Sequence, residues 1–486
     1  MKREIVSIKE IGCVKEVKRS IVTIDGLPNC LLGQIVHFAD GTKGFVMGFN
    51  ESEVLTLLLN ASREIRAGEE VYAQEEAFSI PVGDNFIGRI VGALCDPIDG
   101  GGHIKESAFS RIFCEAPPVL DRIPINDMLH TGIRVIDSSI PIGKGQRQLI
   151  IGDRMTGKTS IAVDTILNQK DKDVICIYAC IGRDFASFEK VVSSLKEYGA
   201  LKYSIVVSAL ASSSIGEQYL APYAAATLGE YFMRAGKDVL VVFDDLTRHA
   251  WAYRELSLLL ERPPGREAYP GDIFYLHAQL MERAARLSPK MGGGSMSFLP
   301  IADTLHGDIA GFIPTNIISM TDGQIFLNSD LFTEGFKPAV DVGLSVSRVG
   351  TRIQPPKLRD LSKDLALAYI QCREMLKATR LRAAVSEEMT KRLKHGEKIE
   401  RIFMQERNSP SSLGEQIMLF YALREGILDL ISNEDCDYFK ANILSFAKEN
   451  YPKLVSMLDA GMPVGDEIML ELKTCILRFF KERFKE

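Results

Sequence analysis

A phosphate-binding pattern lies at residues 152–159, between an apolar run and a segment with helical spacing. Its residues, in the arrangement G-x-x-x-x-G-K-T, are Gly152, Asp153, Arg154, Met155, Thr156, Gly157, Lys158 and Thr159. Glycines let backbone N–H groups converge on a chain of phosphates, and the N-terminus of the next helix favours anions. Lys158 would add a positive charge near the terminal phosphates, and Thr159 would bind Mg²⁺. The segment predicts a nucleotide site; the alternative is a surface turn that matches by chance.

A carboxylate that could complete a magnesium site stands later in the chain. The apolar run at 239–243 ends in Asp244 and Asp245. In proteins with a phosphate loop, such a strand places an aspartate beside the Mg²⁺ shell, usually through water. Asp244 is the candidate ligand, and a helix N-cap is the alternative role for an aspartate that ends a strand.

Arg183 occupies the position where hydrolysis would need a carboxylate. A group that orients the attacking water is expected at the end of the strand next to the phosphate-loop strand. Here that strand ends in the sequence CIGRD at 180–184. A guanidinium cannot accept a proton from water, and Asp184 is one residue off. The sequence predicts a site that binds nucleotide and hydrolyses it poorly.

A further arginine stands between small residues in the sequence GLSVSRVG at 343–350. Arg348, at the end of this predicted strand, would stabilise the charge that develops in phosphoryl transfer if it lay at a subunit edge and reached a neighbour's γ-phosphate. The alternative is an arginine in a surface salt bridge.

Composition excludes several classes of protein. The chain has 486 residues, a net charge of −6 and no basic block, which argues against a general nucleic-acid binder. There is no run of 18 apolar residues that would span a bilayer and no apolar leader for secretion. The 9 cysteines form no disulfide or zinc pattern, which favours reduced thiols in the cytoplasm.

Hydrophobic periodicity predicts an α/β multidomain chain with three parts. Residues 1–78 alternate β-branched runs with turns, which is typical of a small β-barrel. Residues 79–354 alternate strands with helices, which indicates an α/β domain with a mostly parallel sheet. In residues 355–486 the strand patterns stop and several stretches have helical spacing, which indicates a helical domain. The predicted strands are 20–24, 34–38, 44–49, 53–59, 174–181, 205–209, 239–243, 297–300, 323–327 and 340–346. The predicted helices are 188–198, 222–234, 365–382, 386–393, 413–430 and 468–485.

These motifs resemble those of one family, the α subunits of F-type rotary ATP synthases. The phosphate loop, the sequence RPPGREAYPGD at 262–272, the segment 314–327 and the arginine segment 343–350 carry the likeness, which runs from about residue 12 into the C-terminal helices. The resemblance implies a β-barrel, a RecA-like nucleotide-binding domain and a helical domain. It also implies a ring in which three such subunits alternate with three β subunits around a γ stalk, with stator subunits outside.

The same resemblance implies a division of roles among the residues. Mg-ATP, or ADP, would occupy a non-catalytic site, with Phe332, Pro338 and Gln405 lining the adenine pocket. Arg348 would project into the catalytic site of the neighbouring β subunit, and Ser345 on the same loop matches a residue needed for activity. The isolated chain would be non-catalytic, and would lie on the cytoplasmic face of a bacterial-type inner membrane, attached through its partners to the ion-translocating membrane sector.

The sequence departs from this family at several positions. The family usually has Gln at positions 155, 183 and 407 and Arg at position 337, where this chain has Met155, Arg183, Arg407 and Lys337. The barrel pattern also begins almost at Met1, so we expect no helical extension before it and different stator contacts, as in a divergent rotary ATPase.

Two other assignments compete with this one. A self-sufficient homohexameric ATPase, of the secretion-motor or RNA-translocase type, would need its own carboxylate where Arg183 stands. The B subunit of a vacuolar-type ATPase is disfavoured by the intact Lys158 and Thr159. Whether the complex moves H⁺ or Na⁺ depends on membrane subunits outside this chain.

Overall fold

The structure is a computed structural model that describes residues 10–50, 52–59, 64–379, 387–461 and 465–484. Packing divides the chain into two units. The first contains residues up to 123 together with 173–302 and 310–320, and the second contains 124–172, 303–309 and the residues from 321 onward. The domain boundaries predicted after residues 78 and 354 stay a prediction.

The strands and helices follow one another along the chain with these bounds. The strands are β1 (Glu10–Lys18), β2 (Ile21–Asp25), β3 (Gln34–Phe38), β4 (Lys43–Asn50), β5 (Glu53–Leu58), β6 (Glu70–Ala77), β7 (Ser79–Val82), β8 (Ile90–Gly92), β9 (Ala108–Arg111), β10 (Met128–Leu129), β11 (Ile142–Gly143), β12 (Leu149–Gly152), β13 (Val174–Ile181), β14 (Ser204–Ala209), β15 (Asp238–Asp244), β16 (Ala285–Arg286), β17 (Ser295–Asp303), β18 (Gly323–Leu327) and β19 (Val346–Ser347). The helices are α1 (Arg134–Ser139), α2 (Lys158–Leu167), α3 (Phe185–Glu197), α4 (Ile215–Arg234), α5 (Leu246–Leu259), α6 (Ile273–Met281), α7 (Phe312–Met320), α8 (Ser329–Thr333), α9 (Pro356–Ser362), α10 (Leu365–Thr379), α11 (Glu387–Phe403), α12 (Leu413–Arg424), α13 (Asn433–Asn450), α14 (Pro452–Asp459) and α15 (Asp466–Phe484).

The first unit begins with a closed barrel in the order β1-β2-β5-β4-β3-β6. Alternate residues of these strands point inward and form a core that includes the fully buried Val22, Val36 and Val46. β4 approaches its neighbours closely at Gly44, where a Cβ atom would lie 2.4 Å from the Thr56 side chain. The predicted N-terminal β-barrel is confirmed.

A five-stranded parallel sheet follows in the first unit, in the order β17-β15-β13-β14-β8. All eight residues of β13 are buried, as expected for a parallel strand covered on both faces. The predicted start of a helix at Pro222 is wrong, since α4 begins at Ile215. A capping box formed by Ser214 and Glu217 satisfies the N–H groups at that end, and Pro222 lies inside the helix.

The second unit contains the phosphate-loop strand. β12 pairs in parallel with β18, and β19 pairs antiparallel with β18. The predicted strand at 340–346 is wrong, because the Asp341 carboxylate accepts the N–H groups of Gly343 and Leu344 and turns the chain. Only an isolated bridge at Val340 and the short β19 keep extended pairing there.

The C-terminal part is helical, which confirms the predicted helical domain. The predicted helix 413–430 ends early, at Arg424, because Gly426 adopts a φ of 68°, a conformation that ends helices. The sequence did not predict α13 or α14. Residues 380–386 and 485, where predicted helix ends fall, lie outside the described residues, as do residues 1–9. Within the described ranges, no helix is both long enough and apolar enough to cross a bilayer.

A buried ion pair fastens α4 to the chain that follows α6. The Arg283 side chain is 1% exposed, and its guanidinium donates to the carboxylate of Glu230, the hydroxyl of Thr227 and the carbonyl of Ile112 at 2.6, 2.8 and 3.0 Å. Glu230 also faces Arg234, at 3.9 Å, but the side chain of Arg234 is 61% exposed. One carboxylate therefore has a buried arginine partner and an exposed one.

Replacing the buried arginine should destabilise the first unit much more than replacing the exposed one. We expect Arg283→Met to lower the free energy of unfolding by about 3–5 kcal/mol, because it leaves Glu230 charged and buried without its main partner. Arg234→Met, the matched control, should lower it by less than about 1 kcal/mol. Urea unfolding followed by circular dichroism measures both, and equal losses would contradict the assignment.

Candidate nucleotide-binding site

The phosphate loop connects β12 to α2 in the second unit. At its start, a Cβ atom at Gly152 would lie 2.5 Å from the Leu327 carbonyl oxygen, so only glycine fits beside β18. At its end, Gly157 adopts a φ of 101° directly before α2. Gly157 is the N-cap residue of α2 and has no side chain with which to cap the helix. The N–H groups of this helix's first turn, and the half-buried Thr159, are therefore at the position where the pattern predicts phosphate and metal.

Asp153 holds the loop to the rest of the second unit. Its carboxylate accepts hydrogen bonds from the Thr304 hydroxyl, the Gly307 N–H and the Ser329 hydroxyl, at 2.6, 2.8 and 2.8 Å. Partial burial opposes ionisation, but these donors keep the pKa of Asp153 below its ordinary value. Asp153 is therefore an anchor of the loop, and its carboxylate is occupied by protein donors.

Lys158 is turned back onto the loop. Its ammonium is 3.0 Å from the Asp303 carboxylate and donates to the carbonyls of Gly152 and Asp153 at 2.8 and 2.5 Å. The lysine side chain is 5% exposed. Arg154, which is 58% exposed, approaches the same carboxylate at 3.4 Å. The Asp303 carboxylate is thus the counter-ion of both Lys158 and Arg154.

Met155 is the outermost residue of the loop. It is 91% exposed and has a φ of 65°, whereas the Thr156 hydroxyl is buried and donates to the Asp153 carbonyl at 2.8 Å. An exposed thioether offers no strong hydrogen bond. The Met155 side chain therefore offers fewer hydrogen bonds to a bound phosphate than the other side chains of the loop.

The three candidate adenine residues come together in the second unit. The main-chain N–H of Gln405 donates to the Lys337 carbonyl at 2.8 Å, directly before Pro338. The Lys337 ammonium lies 5.1 Å from the centre of the Phe332 ring. The side-chain amide of Gln405 donates to the carbonyls of Gly132 and Ser409, each at 2.7 Å. An adenine ring in this place would meet an amide whose donors are already used.

The loop that follows Gln405 is tied to the phosphate-loop helix. Asp164 of α2 accepts the Asn408 N–H at 2.8 Å. Burial raises the pKa of Asp164 to about 6, against the smaller opposing effects of Asn408 and Arg407. Arg407 itself is exposed.

Arg348 lies on a loop whose main chain is fixed at several points. Its N–H donates to the Asp322 carbonyl at 2.8 Å. The Asp322 carboxylate in turn binds Arg147, which precedes β12, through contacts of 2.6–3.0 Å. The buried Ser345 hydroxyl donates to the Asp341 carbonyl at 2.6 Å and accepts the Phe326 N–H at 2.9 Å. Ser345 therefore shapes the loop, while the residue Arg348 is exposed.

Asp244 belongs to the first unit, where it is completely buried at the end of β15. The Tyr178 hydroxyl donates to its carboxylate at 2.7 Å, and Arg183 approaches both of its oxygens, at 3.1 and 3.2 Å. Burial, together with this carboxylate, raises the pKa of Tyr178 well above its ordinary value, so the phenol remains a donor. β13 pairs with β14 and β15, so the expectation that the strand ending near Arg183 lies next to the phosphate-loop strand is wrong. The Arg183 guanidinium pairs with Asp244, the predicted magnesium ligand.

Sequence reasoning missed the residues that hold the phosphate loop from a distance. These are Asp303, Thr304, Ser329 and Asp164. A signal existed for Asp303, since it ends an apolar run at 298–302 just as Asp244 ends the run at 239–243. The partners of Asp153 carry no such signal, because hydroxyl residues are common in loops.

Comparison with known proteins places these features in one family. The model of the ATP synthase alpha/beta family, nucleotide-binding domain, matches residues 132–347, and the models of the family's beta-barrel and C-terminal domains match 7–74 and 354–479. The chain is 44% identical over 470 residues to the ATP synthase subunit alpha of Clostridium botulinum strain Eklund 17B, covering 97% of this chain and 93% of the relative. The chain belongs to the ATP synthase alpha/beta family.

Other relatives in the ATP synthase alpha/beta family agree. The subunit alpha of Petrotoga mobilis is 45% identical over 476 residues, and that of Clostridium acetobutylicum is 46% identical over 471 residues. Each comparison covers 97% of this chain, and 94% and 93% of the respective relatives. These findings confirm the predicted resemblance to alpha subunits, nucleotide binding as a property of the central domain, and membership of an ATP synthase complex.

If Asp303 competes with phosphate for Lys158 in this alpha subunit, its neutralisation should strengthen nucleotide binding. We expect Asp303→Asn to lower the Kd for metal-free ATP about tenfold, because a hydrogen bond to a charged group is worth about 1.5 kcal/mol. Asp308→Asn, at an exposed position of the same segment, should leave the Kd unchanged. Isothermal titration calorimetry in EDTA measures both, and weaker binding by Asp303→Asn would contradict the competition.

The buried Asp164 should make stability depend on pH. Its pKa of about 6 lies above the value of about 3.9 in an unfolded chain. Its contribution to stability is therefore fully present below pH about 4 and is lost as the pH rises through about 6. We expect Asp164→Asn, which can still accept the Asn408 N–H, to remove about 2–3 kcal/mol of this pH dependence.

Thermal unfolding between pH 4 and 7 measures the effect, and at pH 7 the variant should be at least as stable as the wild-type chain. Asp173→Asn, at an exposed aspartate, serves as the control and should leave the pH profile unchanged. A profile that Asp164→Asn does not flatten would contradict the role of Asp164.

Proposed function

We propose that this alpha subunit holds Mg-ATP at its phosphate loop without hydrolysing it and donates Arg348 to the catalytic site of an adjacent β subunit. The observation that carries the proposal is the Arg348 loop. Asp341, Ser345 and Asp322 fix its main chain, and Arg348 is exposed. An arginine held by its backbone and open at its side chain suits transition-state stabilisation across a subunit boundary.

The chain's own nucleotide would remain intact because the expected general base is missing. Arg183 stands at that position and stays positively charged, so it cannot accept a proton from water. The guanidinium is also held by the Asp244 carboxylate. The same residue type thus has two roles in the proposal, one that prevents hydrolysis by this chain and one that supports it in the neighbour.

The residues of the loop fit the nucleotide phosphates. Lys158 and the N–H groups of the first turn of α2 would bind the β- and γ-phosphates. Phe332 and Pro338 would line the adenine ring, with Gln405 supporting the main chain beside them. ADP would make the same contacts except those to the γ-phosphate, which it lacks.

Magnesium fits one of its two predicted ligands better than the other. The Thr159 hydroxyl, half-buried at the start of α2, is the kind of oxygen ligand that Mg²⁺ takes beside phosphates. Bound Mg²⁺ would neutralise charge on the β- and γ-phosphates. In the described ranges no cluster of three or more His, Cys, Asp or Glu could hold a metal by itself. Asp244, the second predicted ligand, fits less well because its Oδ2 already accepts hydrogen bonds from Tyr178 and Arg183.

The proposed setting is a rotary complex. The name that the relatives share, ATP synthase subunit alpha, supports a ring of alternating alpha and β subunits around a γ stalk, with stator subunits outside. Attachment to the cytoplasmic face of the cell membrane would then come through the ion-translocating sector, which moves H⁺ or Na⁺. Nucleic acid has no part in this function, in keeping with the net charge of −6.

Arg348→Ala tests the proposal in a complex reconstituted with β and γ subunits. We expect nucleotide binding by the alpha subunit to be unchanged and ATP turnover to fall about 10³-fold or more, as when an arginine finger is lost. Arg352→Ala, at an exposed arginine four residues further on, is the matched control and should retain turnover. Unchanged turnover in Arg348→Ala would refute the donation. Brisk hydrolysis by the chain alone would support the self-sufficient homohexamer instead.

A further inference from the structure

A histidine of the second unit lies between a buried carboxylate and a lysine ammonium. His130 directly follows β10, and its side chain is 13% exposed. Its Nε2 atom lies 3.0 Å from an oxygen of the Asp137 carboxylate, which is completely buried in α1. Its Nδ1 atom lies 3.2 Å from the ammonium of Lys172, an exposed residue shortly after α2. These contacts lead from a buried carboxylate to a residue at the surface.

The polar groups around the His130 ring determine where its proton lies. The side-chain amide nitrogen of Asn168 is 3.0 Å from Nδ1, and the same nitrogen donates to the His130 carbonyl at 2.8 Å. Because this amide and the Lys172 ammonium are both donors, Nδ1 accepts and the proton of the neutral ring lies on Nε2, beside Asp137. Burial holds the pKa of His130 below its ordinary value, which favours the neutral ring.

Gln169 ties the lysine segment to the histidine segment. Its side-chain amide donates to the His130 carbonyl at 2.9 Å, and its own carbonyl accepts the Lys172 N–H at 3.1 Å. Asp171 adopts a φ of 61° and turns the chain directly before Lys172. Lys172 is therefore kept within reach of His130 by contacts of the main chain, in addition to the contact of its ammonium.

The Asp137 carboxylate is held in place by other donors. It accepts the N–H and the hydroxyl of Thr131, the N–H of Gly132 and the side-chain amide of Gln416, at 2.7–2.9 Å. These contacts fix the carboxylate whatever the charge of the His130 ring. A proton taken up at Nδ1 would give a positive ring whose Nε2 faces this negative group, and such a neighbour stabilises an imidazolium.

The surroundings of Lys172 favour loss of a proton from its ammonium. Burial of this group lowers the pKa of Lys172 to about 8, against the opposing effects of Asp137 and Asp459. A lysine with this pKa has on the order of a hundredfold more free amine at neutral pH than one with the ordinary pKa of about 10.4. A free amine beside a neutral imidazole is an arrangement that suits nucleophilic attack, with the imidazole as proton acceptor.

We propose that Lys172 is an acylation site, at which its amine takes the acyl group of a small acyl phosphate and His130 accepts a proton. The amine nitrogen bonds to the acyl carbon, and the bond from that carbon to the phosphate oxygen breaks, its electron pair leaving with the phosphate. The ammonium loses two protons in all: one ends on the departing phosphate, and the other passes through His130 to water. The product is a neutral amide, which removes the charge of Lys172 and keeps one N–H donor.

Acetyl phosphate tests the proposal on the full chain, independently of the proposed nucleotide function. Peptide mass spectrometry follows acetylation of Lys172 and of Lys170, an exposed lysine two residues earlier that serves as the internal control. We expect Lys172 to react about tenfold or more faster than Lys170 near neutral pH. The rate at Lys172 should rise with pH and be half-maximal near pH 8, as its amine loses the proton. Equal rates at the two lysines, or the same pH profile, would overturn the proposal.

His130→Gln tests the role of the histidine. Glutamine keeps an acceptor for the Lys172 ammonium but cannot take up its proton, so the rate at Lys172 should fall about tenfold or more while the rate at Lys170 stays the same. His395→Gln is the matched control, since it removes a histidine of α11 that lies 2.9 Å from Asp429, and both rates should stay at the wild-type values. An unchanged rate at Lys172 in His130→Gln would overturn the proposal. If that variant does not fold, the comparison of the two lysines in the wild-type chain still decides.

Discussion

A lysine ammonium that is almost completely shielded from water needs negative partners, and Asp303 with two main-chain carbonyls supplies them for Lys158. The phosphate loop depends on this arrangement, because a buried unpaired ammonium would be costly. Asp153 completes the frame by holding the loop to Thr304, Gly307 and Ser329. The charge of Lys158 is therefore balanced within the protein, and a phosphate would have to compete with Asp303 for it.

Local patterns predicted the phosphate loop, the barrel and the helical C-terminal part because each of them shows a recognisable pattern within a contiguous stretch of residues. The phosphate-loop pattern occupies residues 152–159, and the strand at 34–38 coincides with β3. The partners of the loop could not be predicted in the same way. Asp303 and Ser329 lie 149 and 176 residues from the loop residues that they contact, and only the fold brings them together.

Hydrogen bonds between short polar side chains and the main chain explain why the predicted bounds of some helices and strands were wrong. The start of α4 depends on the reciprocal hydrogen bonds of Ser214 and Glu217, which a search for apolar spacing overlooks. The supposed strand at 340–346 reads as apolar alternation, yet the Asp341 carboxylate competes for the N–H groups that a strand would use. Periodicity reports which face is buried, whereas short polar side chains decide where an element begins and ends.

Arg183 and Arg348 differ in what surrounds them rather than in their chemistry. Arg183 forms an ion pair with the fully buried Asp244 carboxylate beside Tyr178. The positive charge of Arg183 is therefore balanced inside the protein. Arg348 is exposed and is held only through its backbone in the contacts described above, so its charge remains available at the surface. Environment thus separates an internal counter-ion from a residue suited to a neighbour.

Asp322 serves two segments at once. Its carboxylate grips Arg147, just ahead of β12, while its carbonyl receives the Arg348 N–H. Asp322 therefore connects the main chain that leads into β12 with the segment that carries Arg348. In the proposed function, a nucleotide bound at the phosphate loop would influence the adjacent β subunit through this residue.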